Sequence, residues 1–274
     1  MSSQPLNPWH LGGLDPYRRF TDDCNATEPV VILSSGQACV WHRLTLASKD
    51  GDWIIREDEP ALAVVRRRLQ QCGARYRLGA PLDVRWLAAG WSSHFEALAH
   101  DGTRLRFDFV SRPPRLQAAE LANLWLTVHG APAVVPIREL ITIKRTMRLK
   151  DYAFIGSLSL RLDDPVEQVR TTLDAEHLLG LLAAQPQLAA RLGELRPTCA
   201  AVPLTKEALS AAIDAEIRHA RAADEARIGA YMQAIAPWSD RFRALHLEQL
   251  SVDQAHTALC AAAEGCLPTV VSWS

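Results

Sequence analysis

Apolar positions in the first half of the chain fall into short runs whose period changes along the way. The unbroken apolar run Val30-Val31-Ile32-Leu33 predicts a buried strand, and residues 37–43 predict a short helix after a Ser34-Ser35-Gly36 turn. Trp53-Ile54-Ile55 reads as a second strand. Residues 59–71 follow, with Leu62, Val65 and Leu69 spaced to share one helical face. Four strand-like segments come next, at 75–78, 84–88, 94–99 and 104–110. The last two are separated by His100-Asp101-Gly102-Thr103, where Asp-Gly signals a hairpin. Within 104–110 strict alternation sets Leu105, Phe107 and Phe109 on one face and Arg104, Arg106, Asp108 and Val110 on the other.

The pattern changes near residue 150. Pro136 opens a helix that runs through Leu140 and Lys144 to about Met147, and from Asp151 onward helical periodicity dominates. Asp164-Pro165 starts a helix carrying Leu173, Leu178, Leu181 and Leu182, and Pro197 and Pro203 bracket a linker. Thr205 caps a long segment to about Ala236, and Ser251 with Gln254 forms a capping box. This pattern predicts an α+β protein. A mixed β-sheet domain flanked by helices occupies residues 1–150, its core at about 30–150, and an all-helical domain occupies 151–274.

Composition adds a core and a charge asymmetry. Hydrophobic residues make up 48% of the 274 residues and charged residues 22%, enough apolar material for sizeable cores. The net charge of −1 excludes a chain that coats nucleic acid by bulk charge. Residues 1–150 nevertheless hold 20 Lys and Arg against 15 Asp and Glu, while residues 151–274 hold 10 against 16. The basic half is the one suited to an anionic substrate. Six scattered cysteines form no CxxC pair and no zinc-site spacing, so they read as reduced thiols, and the nine histidines form no metal motif. No basic-then-apolar leader is seen at Met1–Pro8, and no apolar stretch nears the ~20 residues of a membrane helix, so a cytoplasmic protein without a membrane partner is expected.

Three acidic positions stand beside strands. Asp50 and Asp52 lie two apart at the start of an extended segment, so their side chains share a side and repel unless a cation lies between them. Magnesium, a hard ion that takes oxygen ligands and phosphates together, suits such a pair. Asp108 lies within an otherwise strongly apolar strand, where a carboxylate is costly without a partner. Upstream, Ser35-Gly36 sits at a strand-to-helix junction that can present backbone N–H groups to an anion.

Taken together, Ser35-Gly36, thirteen intervening residues, Asp50-Gly51-Asp52 and a later strand-borne Asp108 resemble the nucleotidyltransferase superfamily with its polymerase-beta-like fold. Arg43-Leu44-Thr45 before Lys49-Asp50 is similar to the approach in many bacterial members. Glu139–Lys144 followed by Arg148-Leu149-Lys150-Asp151 resembles the corresponding helix of abortive-infection and toxin-type homologues. The chain departs from the family pattern at Ser35, where a glycine is usual, and at Gly51, where a hydrophobic residue is usual. The resemblance covers roughly residues 30 to 160. It implies that Asp50, Asp52 and Asp108 bind magnesium (or manganese) and carry catalysis, with Asp108 helping to deprotonate an acceptor hydroxyl. It further implies that Ser35, Gly36, Lys49, Lys144 and Arg148 contact a nucleoside triphosphate. The acceptor would be an RNA end, a protein or a small molecule.

The same residues admit plainer readings. Asp50-Gly51-Asp52 can be an exposed turn, and Asp108 can pair with Arg85 or Arg106. Lys144 and Arg148 can belong to a solvated helix face, and Trp53 to the core rather than a base-stacking platform. An alternative on the same fold is a non-catalytic nucleotide-binding or protein-interaction module of the toxin–antitoxin or defence kind.

Overall fold

A computed structural model describes residues 14–99 and 101–272. The opening segment read for a leader and His100 of the hairpin turn lie outside them. The chain is α+β. Its strands are β1 (Val31–Ser34), β2 (Gly51–Ile55), β3 (Arg75–Tyr76), β4 (Ser93–Leu98) and β5 (Arg104–Val110), joined in one sheet of order β1-β2-β5-β4-β3. The β2–β5 pair is parallel and the other three are antiparallel, so the sheet is mixed.

Two compact units divide the described residues: 14–135 together with 230–272, and Pro136–Gly229. The first holds the sheet with α1 (Asp15–Cys24), α2 (Ser35–Trp41), α3 (Glu59–Gln71), α4 (Val84–Leu87) and α5 (Ala118–Thr127). The second holds α6 (Ile137–Ile143), α7 (Leu149–Ser159), α8 (Pro165–Thr171), α9 (Ala175–Ala184), α10 (Pro186–Ala190), α11 (Leu192–Leu195) and α12 (Pro197–Ala200). It also holds α13 (Lys206–Arg243) as far as Gly229; from Ala230 that helix belongs to the sheet unit, as does α14 (Val252–Ala263). No helix among the described residues is long and apolar enough to cross a membrane.

Local chemistry explains these elements. Asp58 caps α3 by accepting from Ala61 N–H, and Ser251 with Gln254 closes the capping box of α14. Gly102, at φ +82°, turns the β4–β5 hairpin, and Ala99 N–H bonds to Thr103 C=O at 2.8 Å across it. The aromatic side of β5 meets Trp53 of β2: the Trp53 and Phe107 rings stack at 5.7 Å and the Trp53 and Phe109 rings at 5.2 Å. Trp53, Phe95, Phe107 and Phe109 are all essentially inaccessible to solvent, and the Trp53 indole donates to Thr21 Oγ1 at 2.8 Å, so Trp53 is a core residue. The second unit has its own apolar core around Val169, Leu178, Leu182, Leu192, Leu209 and Ile213.

Several elements differ from the sequence pattern for physical reasons. Residues 84–88 form a helix rather than a strand, because Asp83 accepts from Arg85 N–H and caps the turn. The helix expected from Asp164 through Leu182 is two helices, broken at Thr172–Asp174, where the Asp174 carboxylate caps α9. Pro136 is the cap of α6 rather than its first residue. The Pro197–Pro203 stretch begins with the short α12. The long helix runs past Ala236 and through Pro237 to Arg243. Trp238, fully buried and donating from Nε1 to Gly79 C=O at 2.8 Å, anchors that last part to the sheet unit and offsets the proline's lost hydrogen bond.

Candidate functional site

Strand register lines up one row of polar side chains across the sheet. Ser34 of β1 pairs with Asp52 of β2, Asp52 with Asp108 of β5, and Asp108 with His94 of β4. Side chains at register positions point to the same face, so all four project from the side opposite the Trp53–Phe107 core. Two residues along, Arg106 pairs with Glu96, and Glu96 with Arg75. One half of this face is therefore a mosaic of charges. The next residues along, Ile32 and Ile54, return to fully buried apolar surface.

The carboxylates in this mosaic are engaged. His94 Nδ1 lies 2.6 Å from Asp108 Oδ1, and Arg77 Nη1 lies 4.0 Å from the same oxygen. His94 Nε2 meets Ser92 Oγ at 2.8 Å, so the ring is held at both nitrogens. Arg106 Nη1 donates to Asp50 Oδ1 at 3.3 Å. Asp108 thus pairs with His94 rather than with Arg85 or Arg106, and Arg85 instead bonds Asp83 and Glu264. Asp52 and Asp108 stand on adjacent strands, while Asp50 lies just before β2 and turns to Arg106.

Backbone packing brings the Ser35-Gly36 turn to the same place. A methyl group at Gly36 would lie 2.1 Å from Ser48 Oγ, so glycine lets α2 begin against Ser48, with Asp52 Oδ2 4.0 Å from the same point. Ser35 is left-handed at φ +46°, a conformation natural to glycine and strained for serine. Gln37 Nε2 donates to Ser48 C=O at 2.9 Å and holds the segment leading into Asp50. Gly51 is explained too: a side chain there would lie 2.4 Å from the Trp53 ring and 2.5 Å from the Tyr17 ring.

Tyr17 closes the edge of the site. Its hydroxyl donates to Lys49 C=O at 3.0 Å. Burial pushes its pKa up to about 12; the Arg106 backbone opposes this, and the charges of Asp50, Asp108 and Asp52 add to it. A cavity of about 400 Å³ opens beside Asp50, lined by Tyr17, Lys49, Asp101, Arg104 and Arg106 among others. It borders the Asp50 end of the mosaic and does not include Asp52 or Asp108.

Lys144 and Arg148 belong to the second unit, where both pair with Asp151. Lys144 Nζ lies 3.5 Å from Asp151 Oδ1, both side chains almost fully buried, and Arg148 Nη2 lies 2.9 Å from Asp151 Oδ2. His94 and Tyr17 are site neighbours that sequence reasoning did not single out. His94 becomes visible only once β4 is registered on β5 through the Asp101-Gly102 turn.

Asp52 and Asp108 offer carboxylate oxygens, the donors that magnesium takes together with substrate phosphates, and one Asp108 oxygen is bonded to His94. Among the described residues, the one group of three His, Cys, Asp or Glu side chains whose donor atoms all lie within 4.8 Å of one another is elsewhere, at Asp83, His256 and Cys260. Comparison of the chain with protein families, with curated proteins and with solved structures found no match.

Proposed function

We propose that the mosaic face is the site of a magnesium-dependent nucleotidyltransferase, moving a nucleoside monophosphate from a triphosphate to an acceptor hydroxyl and releasing pyrophosphate. The observation that carries this reading is the row Ser34, Asp52, Asp108 and His94, with Gly36 packed under Asp52. Asp52 and Asp108, with Asp50 beside them, would hold magnesium or manganese, which when bound neutralises triphosphate charge. Asp108 accepts the acceptor's proton at a carboxylate oxygen, and His94 Nδ1, at 2.6 Å, orients that carboxylate. Lys49, Arg104 and Arg106 line the neighbouring cavity and attract the phosphates. Ser35 and Gly36 offer backbone N–H groups to them. The acceptor is an RNA end, a protein or a small molecule.

One observation favours the second reading, a non-catalytic nucleotide-binding or interaction module. Arg106 and His94 already engage Asp50 and Asp108, and the Arg106 guanidinium balances the Asp50 charge. Titration calorimetry with ATP, CTP, GTP and UTP, with and without magnesium, on wild type and on the D50A/D52A double variant tests both. Magnesium-dependent binding that the double variant loses is expected. Binding indifferent to metal and substitution overturns the site. Metal-dependent binding without pyrophosphate release across an acceptor panel selects the module.

A further inference from the structure

On the far side of the sheet unit, three side chains distant in sequence converge. Asp83 caps α4, while His256 and Cys260 lie four apart, on one face of α14. Cys260 Sγ lies 3.7 Å from Asp83 Oδ2 and 3.6 Å from His256 Nε2. Zinc bonds of about 2.3 Å to sulfur and about 2.0–2.2 Å to nitrogen or oxygen, at tetrahedral angles, put such donors about 3.6 Å apart. The sulfur-to-oxygen and sulfur-to-nitrogen spacings are already those of a zinc tetrahedron, and all three donors lie within 4.8 Å of one another.

We propose that Asp83, His256 and Cys260 form a zinc site with water at the fourth position, clamping α14 to the start of α4. The surroundings favour it. Arg85 holds both Asp83 oxygens: Oδ1 accepts from the Arg85 backbone and Nε at 2.9 Å each, and Oδ2, which also faces the cysteine, accepts from Nη2 at 3.0 Å. Tyr76 Oη lies 3.1 Å from His256 Nδ1 and fixes the ring, whose Nε2 and Nδ1 lie 3.6 and 3.8 Å from the sulfur. Binding breaks the S–H bond, forms the S–Zn bond and releases the proton to solvent. Arg85 and Arg66 are the nearby cations, set against Asp83, Glu264, Glu59 and Asp253. All three ligands are partly accessible, which leaves a path for the ion and its water.

The test uses the full chain stripped with a chelator. Cobalt(II) is added first, and a thiolate-to-cobalt charge-transfer band at one equivalent is expected in the wild-type protein. Zinc should abolish that band at one equivalent. Competition with a chromophoric chelator should show zinc binding at least tenfold weaker in C260S and in H256Q, and unchanged in C72S, which alters an exposed thiol away from the site. Absence of the cobalt band in the wild type overturns the proposal whether or not the variants fold. Equal zinc affinity in folded C260S overturns it as well.

Discussion

Asp52 and Asp108 are register partners on parallel strands, one carboxylate beside the other on the same face of the sheet. Like charges directly opposed across a strand pair destabilise it. Here the sheet retains them, with Arg106 and His94 bonded to the carboxylates on either side, at Asp50 and Asp108. A fold that bears this repulsion where two asparagines would pack equally well spends stability on negative charge.

Neutralising one partner should therefore separate stability from binding. Asp52→Asn keeps the shape and removes the repulsion, so thermal or denaturant unfolding should show a gain of about 0.5–1 kcal/mol. Magnesium-dependent nucleotide binding should fall at least tenfold in the same variant. A variant that is less stable and still binds would show that Asp52 serves the fold alone.

Ser35 bears a different cost. At φ +46° it occupies the left-handed region, which costs a side-chain residue about 1–2 kcal/mol and glycine almost nothing. Against this, glycine's extra freedom in the unfolded chain costs about 0.4–1 kcal/mol. Ser35→Gly should give a net gain on the order of 0.5 kcal/mol in urea unfolding and leave the backbone N–H in place. Lower stability in this variant would mean that the serine hydroxyl contributes more than the backbone strain removes.

Gly51 is required by what it touches. A methyl group there meets the rings of Trp53 and Tyr17, both buried, at 2.4 and 2.5 Å. Rings packed this tightly cannot step aside, so Gly51→Ala should destabilise by about 1–3 kcal/mol as overpacking. It should also shift Asp50 and Asp52 and weaken any magnesium response. Unfolding at the wild-type midpoint would contradict this account.

The sequence disclosed those parts of the fold whose signal is local. Strict alternation in residues 104–110 sets Phe107 and Asp108 on opposite faces, and the burial of β5 follows it residue by residue. The Asp101-Gly102 turn and the Ser251–Gln254 box are legible for the same reason. Residues 84–88 misled because a short apolar run has no period of its own, and the Asp83 cap decides it. The helix through Pro237 was hidden because Trp238 is anchored to Gly79, 159 residues away in sequence. At the site, Asp50, Asp52 and Asp108 stood out by spacing, whereas His94 depends on strand register. Asp83 and Cys260, 177 residues apart, meet only through tertiary packing.

Tyr17 offers a pH readout of the mosaic. Its folded pKa is raised from 10.0 to about 12, by burial first and by the three aspartates thereafter. An acid whose pKa is higher in the folded state binds its proton more tightly there. Its contribution is therefore full below the unfolded value and is lost as pH rises from about 10 to about 12. A shift of that size corresponds to about 2–3 kcal/mol between the two limits. Tyr17→Phe should lose about 1 kcal/mol at neutral pH with the hydrogen bond to the Lys49 carbonyl. Between pH 9 and 12 its stability should fall less steeply than that of the wild type, so that the two curves converge and cross. The difference in urea midpoint across that range isolates Tyr17 from the other groups that titrate there. In an Asp50→Asn background the slope should shrink, because one of the charges that raise the tyrosine is gone. Parallel curves for wild type and Tyr17→Phe would mean that the hydroxyl does not sense the carboxylates beside it.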